Sequence, residues 1–275
     1  MPKAFACIWL LLIIAIAVFI RIHGANSYYF SQDESMLVNI SSGSSLKEAL
    51  HLSHYEIQPP MLYILCHYWL EISREPAFVR GLSLIFGILV IIVYYLIGKK
   101  LNGEMTGLTC AALVAFSRGC IIQSYVVRSY IIFLFFLSSA FYCYIHWRSS
   151  RKTAFMLAYG GFAALACLTH FSGALCVFCI AAYEMPMLYR QKAAVRTQAL
   201  WIALNLAIGL MTLMVYHMWQ PALISVKSYF NASSFYPLHT LVLFTLLYPL
   251  AVSTYLFPST AVSPLLAALL RKRRT

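Results

Sequence analysis

Residues 80–103 read RGLSLIFGILVIIVYYLIGKKLNG, and this stretch decides the fold. Between Gly81 and Gly98 no side chain is charged, and Lys99 and Lys100 close the run. The apolar positions are continuous and do not alternate. That pattern fits a membrane-spanning helix and excludes a strand of a transmembrane barrel. Comparable runs lie on both sides of it. Spans are expected near Ala4–Ile22, Ala77–Gly98, Met105–Cys120, Ser129–Trp147, Ala154–Thr169, Phe171–Leu188, Gln198–Trp219 and Leu241–Phe257.

Composition points the same way. Of 275 residues, 62% are hydrophobic and only 10% are charged. Soluble domains carry about 25% charged residues, so a soluble domain is excluded. An aromatic content of 15% excludes disorder, and the glycines are not periodic as collagen requires. The expected fold is an all-α polytopic membrane protein, one domain over residues 1–275, with about seven or eight crossings of about 20 residues each.

The net charge is +12. The basic residues form short clusters between apolar runs, so no basic face is available for nucleic acid. The positive-inside rule is the better reading. With Lys3 cytoplasmic, the clusters Lys99/Lys100, Arg148/Arg151/Lys152, Arg190/Lys192/Arg196 and Arg271–Arg274 fall inside, together 13 of 20 basic residues. Six of the eight acids then fall outside. This topology requires Pro59–Ile72 to lie in the interface, because 14 residues are too few to cross. Span one lacks a small-residue cleavage site and reads as an uncleaved anchor. The eight cysteines read as small buried hydrophobes. Cys176 and Cys179 lie inside a span without a second pair, so no metal site is expected.

The first outer loop, residues 23–76, is the informative region. Asp33 is the sole aspartate of the chain, and Glu34 follows it. Residues Glu34–Ile40 and Leu46–Leu52 have the apolar spacing of short helices on the membrane surface. The acidic pair reads as a general base, a metal ligand or solvated loop charge; position alone does not decide. Gln58-Pro59-Pro60 opens the interfacial helix, since proline suits a first helical turn. A second outer segment, residues 117–130, reads SRGCIIQSYVVRSY. Its Arg118 and Arg128 lie near the outer face, where an arginine costs about 2.5–3.5 kcal/mol unless it snorkels or meets an anion. Arg128 is flanked by Tyr125 and Tyr130 and can present a fork to a phosphate. Lipid phosphates would satisfy Arg80, Arg118 or Arg128 as well as a substrate would. His170, within LTHFSG at residues 168–173, is either a satisfied helix-end residue or a donor to a phosphate or sugar hydroxyl.

The order of these pieces carries a resemblance. One span, the DE pair, PPxLY opening a helix, RGLSLIFGILVIIVYYLIGKKLNG, SRGCIIQSYVVRSY and LTHFSG follow one another over residues 1–190. The set resembles the GT-C polyprenyl-phosphate-sugar glycosyltransferases, nearest to the protein O-mannosyltransferase and lipid A aminoarabinose transferase group. The resemblance implies a helical bundle with surface helices in the first outer loop. It implies transfer of a sugar from a lipid-phosphate carrier to a hydroxyl outside the cytoplasm. It makes Asp33 the catalytic carboxylate, with Glu34 beside it. It makes Arg128 the contact to the carrier phosphate, and matches Arg80 and His170 to the family's arginine and histidine. Tyr130 and Gln58 complete the expected substrate-binding set.

The expected chemistry is a single inverting displacement. A carboxylate takes the acceptor's proton, arginines hold the departing phosphate, and no general acid is required. Relatives often carry a glutamate where this chain has Val126, which argues against a divalent cation or a second carboxylate role. Gln58 replaces their histidine. Relatives are commonly longer than this chain, which stops at RKRRT. Three outcomes are therefore held open: an enzyme, an inactive truncated relative that binds polyprenyl lipid or a partner subunit, and a transporter of lipid-linked substrates. The expected partners are a polyprenyl-phosphate-linked sugar, membrane lipid and a protein or glycolipid acceptor. The expected location is a bacterial cytoplasmic membrane with the N-terminus cytoplasmic.

Overall fold

A computed structural model describes residues 3–26, 30–54, 56, 58–191 and 193–229. Packing divides the chain into two units, Met1–Ile224 and Ser225–Thr275, and the described contacts between helices lie in the first. The expected span Leu241–Phe257 lies outside the described residues.

The described residues form helices and their connections, without a strand. In chain order they are α1 (Lys3–Asn26), α2 (Gln32–Ser41), α3 (Leu46–Ser53), α4 (Met61–Leu70), α5 (Pro76–Phe116), α6 (Arg118–Tyr125), α7 (Ser129–Ser150), α8 (Thr153–Thr169), α9 (Ser172–Arg190) and α10 (Val195–Tyr229). Among them α1, α5, α7, α9 and α10 are long and apolar enough to cross a membrane, and α8 is a shorter apolar helix. Helix α4 has 10 residues. That is about half of what a crossing needs. The chain is thus an all-α polytopic membrane protein with short helices after its first span.

Spans two and three are expected as separate helices, and α5, 41 residues long, is broken between them at Asn102 and Gly103. Gly103 has φ 83°, a left-handed conformation that glycine adopts without a Cβ clash. The Tyr95 hydroxyl donates to Glu104 at 2.5 Å, and Lys99 pairs with Glu104 at 2.8 Å. Residues nine apart on a straight helix are separated by about 14 Å along its axis. Residues 76–101 and 104–116 therefore double back as a hairpin. The third span ends early, at Phe116 rather than Cys120. Ser117 is extended there, and α6 occupies most of what reads as a connecting loop. Helix α6 leaves the span because its Ser124 and Tyr125 bury themselves against α1 and α5.

The helices share two ends. At one, Arg80 donates to the Ala25 carbonyl at 2.7 Å, the His170 ring lies 5.7 Å from Tyr130, and the Trp219 indole donates to the Ser53 carbonyl at 3.1 Å. At the other, Glu184 of α9 is fully buried and accepts from Tyr144 at 2.7 Å, Arg148 at 3.2 Å and Arg151 at 3.2 Å. At the same end, Trp147 of α7 stacks on Trp201 of α10 at 4.7 Å. Large apolar side chains such as Leu11, Phe19, Leu157 and Phe178 are more than 60% exposed. Water would penalise such a surface; hydrocarbon does not.

Gly103→Val forces a β-branched side chain into a glycine conformation, at about 1–3 kcal/mol. A fall in the thermal midpoint of the purified protein is expected. An unchanged midpoint would mean the hairpin turn is made differently.

Candidate functional site

The site end is organised by α2. Ser31 caps it: the Glu34 amide donates to Ser31 Oγ at 3.2 Å, and the Ser31 amide donates back to Glu34 Oε2 at 3.0 Å. This reciprocal box fixes where the helix begins. It also turns Glu34 inward, where its side chain is 1% exposed. Arg80 Nε and Nη2 donate to its two oxygens, each at 3.3 Å, and the Val127 amide donates to Oε1 at 3.1 Å. Burial alone would raise the Glu34 pKa. The Arg80 guanidinium and the Ser31 and Val127 amides outweigh it and hold the carboxyl below its ordinary value. Glu34 thus ties α2 to α5 and to the segment before α7.

With Glu34 turned inward, the neighbouring helix faces are assigned. Asp33, Met36, Leu37 and Ile40 follow one another at helical spacing and line one wall of a cavity of ≈ 70 Å³. The other lining residues are Glu56, Gln58, Leu62, Tyr63 and Arg128. Asp33 is 61% exposed and forms an ion pair with Arg128, which is 25% exposed and stands at the N-terminus of α7. The Gln58 carbonyl oxygen is buried without a hydrogen-bond partner. A cavity-lining acceptor left unpaired calls for a donor, and a ligand hydroxyl is one.

The expected site residues therefore fall into three groups. Asp33, Arg128 and Gln58 meet at the cavity. Glu34 and Arg80 pair behind it, and Arg80 also lies 5.3 Å from the Phe30 ring. His170 and Tyr130 form an aromatic pair with Phe133, and neither lines the cavity. His170 Nδ1 accepts from the Ser172 amide at 3.2 Å. Burial lowers its pKa, which favours the neutral ring. The sequence reading missed Glu56 as a site residue. Burial raises its pKa. Its signal was an acid two residues before the Gln58-Pro59-Pro60 turn in a chain with few acids. Among the described residues no three His, Cys, Asp or Glu side chains are placed to hold a metal ion.

Fold and cavity define an integral membrane protein whose polar site is built at one end of a helical bundle. The family model for dolichyl-phosphate-mannose-protein mannosyltransferases matches residues 1–230, so the chain belongs to that family. Membership supports a membrane glycosyltransferase that draws on a polyprenyl-phosphate sugar donor. No curated protein matches the chain.

The Glu34–Arg80 pair generates a stability test. Removing one partner of a buried pair costs about 3–5 kcal/mol, whereas an apolar replacement of both is often tolerated. Glu34→Leu is expected to lower the thermal midpoint sharply, and Glu34→Leu with Arg80→Met to recover much of it. No recovery in the double variant would show that the charges themselves are needed. Because the folded-state pKa of Glu34 is depressed, its contribution is fully present above the ordinary value of 4.5. It is lost as pH falls through the lower folded value. Acid unfolding that begins well above 4.5 would assign the transition to other groups.

Proposed function

We propose that this chain moves a sugar from a polyprenyl-phosphate carrier to a hydroxyl of a protein or glycolipid acceptor, on the extracytoplasmic side of a bacterial cytoplasmic membrane. The observation that carries the reading is the Asp33–Arg128 pair at the cavity. The two groups have the chemistries that the reaction separates. The acceptor oxygen loses its proton to the Asp33 carboxylate and bonds to the anomeric carbon. The bond from that carbon to the phosphate oxygen breaks, and its electron pair leaves with the phosphate. Arg128 turns from Asp33 to the phosphate, which stabilises the leaving charge and frees the carboxylate to act as base. A single displacement of this kind inverts the anomeric centre.

Gln58 and Glu56 serve the sugar. The unpaired Gln58 oxygen accepts from a sugar hydroxyl. Glu56, whose pKa burial raises, lines the same cavity within reach of another hydroxyl. Glu34 and Arg80 hold the frame and do not react. His170 and Tyr130 flank the start of α7 and set the approach to Arg128.

The test is transfer from a panel of polyprenyl-phosphate sugars by purified protein in nanodiscs. Loss of a general base costs about 10²–10⁴-fold in rate. Asp33→Asn should fall in that range with an unchanged thermal midpoint, and Arg128→Ala should weaken both donor binding and turnover. Glu56→Gln should retain more activity than Asp33→Asn. A larger loss in Glu56→Gln would make Glu56 the base.

A further inference from the structure

Arg21 lies on α1, one residue before the expected end of the first span at Ile22, and is fully buried. Its contacts are all to neutral oxygens. Nε donates to Ser124 Oγ at 3.1 Å, and Nη1 donates to the carbonyls of Ala17 at 3.1 Å and Ala115 at 2.9 Å. Ser124 is held in turn by the Cys120 carbonyl at 2.5 Å. The arrangement is built, not incidental: a Cβ at Gly87 would come within 2.2 Å of Ser124 Oγ, so only glycine lets α6 approach here. Nη2 is left buried with no hydrogen-bond partner. Among the described residues no carboxylate pairs with Arg21, unlike Arg80, Arg128, Arg148 and Arg151.

A second cavity, of ≈ 320 Å³, opens beside this guanidinium between α1, the start of α5 and α6. Arg21, Arg80, Ser124 and Tyr125 are its polar lining residues, and Ile22 and Leu84 are among the apolar ones. It shares no lining residue with the Asp33 cavity. Glu34 already neutralises Arg80. The cavity therefore retains one uncompensated positive charge, that of Arg21. A buried cation in a span is costly unless it meets an anion. The occupant that matches is anionic, oxygen-rich and joined to an apolar stem.

We infer that this cavity binds the phosphate group of a membrane lipid, with Arg21 Nη2 as the donor that the lipid phosphate satisfies. The lipid's hydrocarbon runs out along the apolar lining. The site is separate from the cavity where transfer is proposed, and its occupancy is read without donor or acceptor. Its failure would therefore leave the proposed reaction standing, and the reverse holds too.

The experiment is native mass spectrometry of the purified full chain against four probes. These are phosphatidylglycerol, undecaprenyl phosphate, a galactosyl diacylglycerol without phosphate, and inorganic phosphate. One phosphatidylglycerol per chain is expected to bind, and the phosphate-free lipid at least tenfold more weakly. Undecaprenyl phosphate should add a second copy at the Arg128 site, which Arg21→Gln and Ala77→Trp leave in place. Arg21→Gln should reduce binding at least tenfold. Because Arg21→Gln also breaks contacts between helices, Ala77→Trp serves as a second variant. Ala77 lines the cavity but is exposed, so its replacement fills the space and leaves the Arg21 bonds intact. It should lose lipid binding with an unchanged thermal midpoint. Which of the two phosphate lipids binds tighter names the source. Equal binding of the phosphate-free lipid, or full binding by Ala77→Trp, would overturn the inference. Displacement of lipid by an equal concentration of inorganic phosphate would overturn the lipid assignment.

Discussion

The buried carboxylate of Glu34 is the interaction on which the site end depends. Four hydrogen bonds from three segments converge on it: from the Ser31 amide, twice from Arg80, and from the Val127 amide. Leu37 sets α2 in one apolar core with Leu62 and Tyr63 of α4, and Glu34 adds bonds to α5 and to the segment before α7. With these bonds, the helix cannot rotate. Adjacent helical residues point about 100° apart, so fixing Glu34 inward fixes Asp33 toward α7. The functional candidate takes its direction from the neighbour that has none of the chemistry.

The membrane explains why charges gather where they do. Inside hydrocarbon each charge needs a partner from the protein, and water is available only near the ends. Glu34 at one end and Glu184 at the other solve this in the same way, with arginines and hydroxyl or amide donors around one carboxylate. Each joins helices that the chain order alone would leave loosely associated. Arg21 follows a different route, satisfied in part by backbone carbonyls and a serine and left with one donor unused.

Much of the fold was legible because apolar runs and caps are local signals. The expected helices Glu34–Ile40 and Leu46–Leu52 fall within α2 and α3, each capped by a serine that a reader can find. The interfacial helix at Pro59–Ile72 became α4, opened by Pro60. What stayed hidden depends on the third dimension. KKLNGEM shows the gap between two spans, but not the Tyr95–Glu104 hydrogen bond across the Gly103 turn. The expected third span runs on through Ser117-Arg118-Gly119 to Cys120, so the turn at Ser117 is missed. In the site, the DE pair was visible as a pair, but not that its two acids have opposite environments, one exposed and one buried. Glu56 was invisible as a site residue because only the packing of α2 on α4 brings it beside Asp33.

The two carboxylate–arginine pairs differ in how readily they can be exchanged, and that difference assigns the arginines. Sequence alone offers both Arg80 and Arg128 to a donor phosphate. Breaking the buried Glu34–Arg80 pair would strand a charge at about 3–5 kcal/mol, and would cut the tie from α2 to α5 at the same time. The Asp33–Arg128 pair is half open to solvent. Pairs of that kind contribute about 0–1 kcal/mol. A phosphate arriving at Arg128 replaces a weak partner with a stronger one and leaves the frame untouched. Under the proposed reaction, donor binding and release of the base are then one event. A carboxylate parked on the arginine that the donor must claim stays paired until the donor is present. The exposed pair is the switchable one because the buried pair beside it is not.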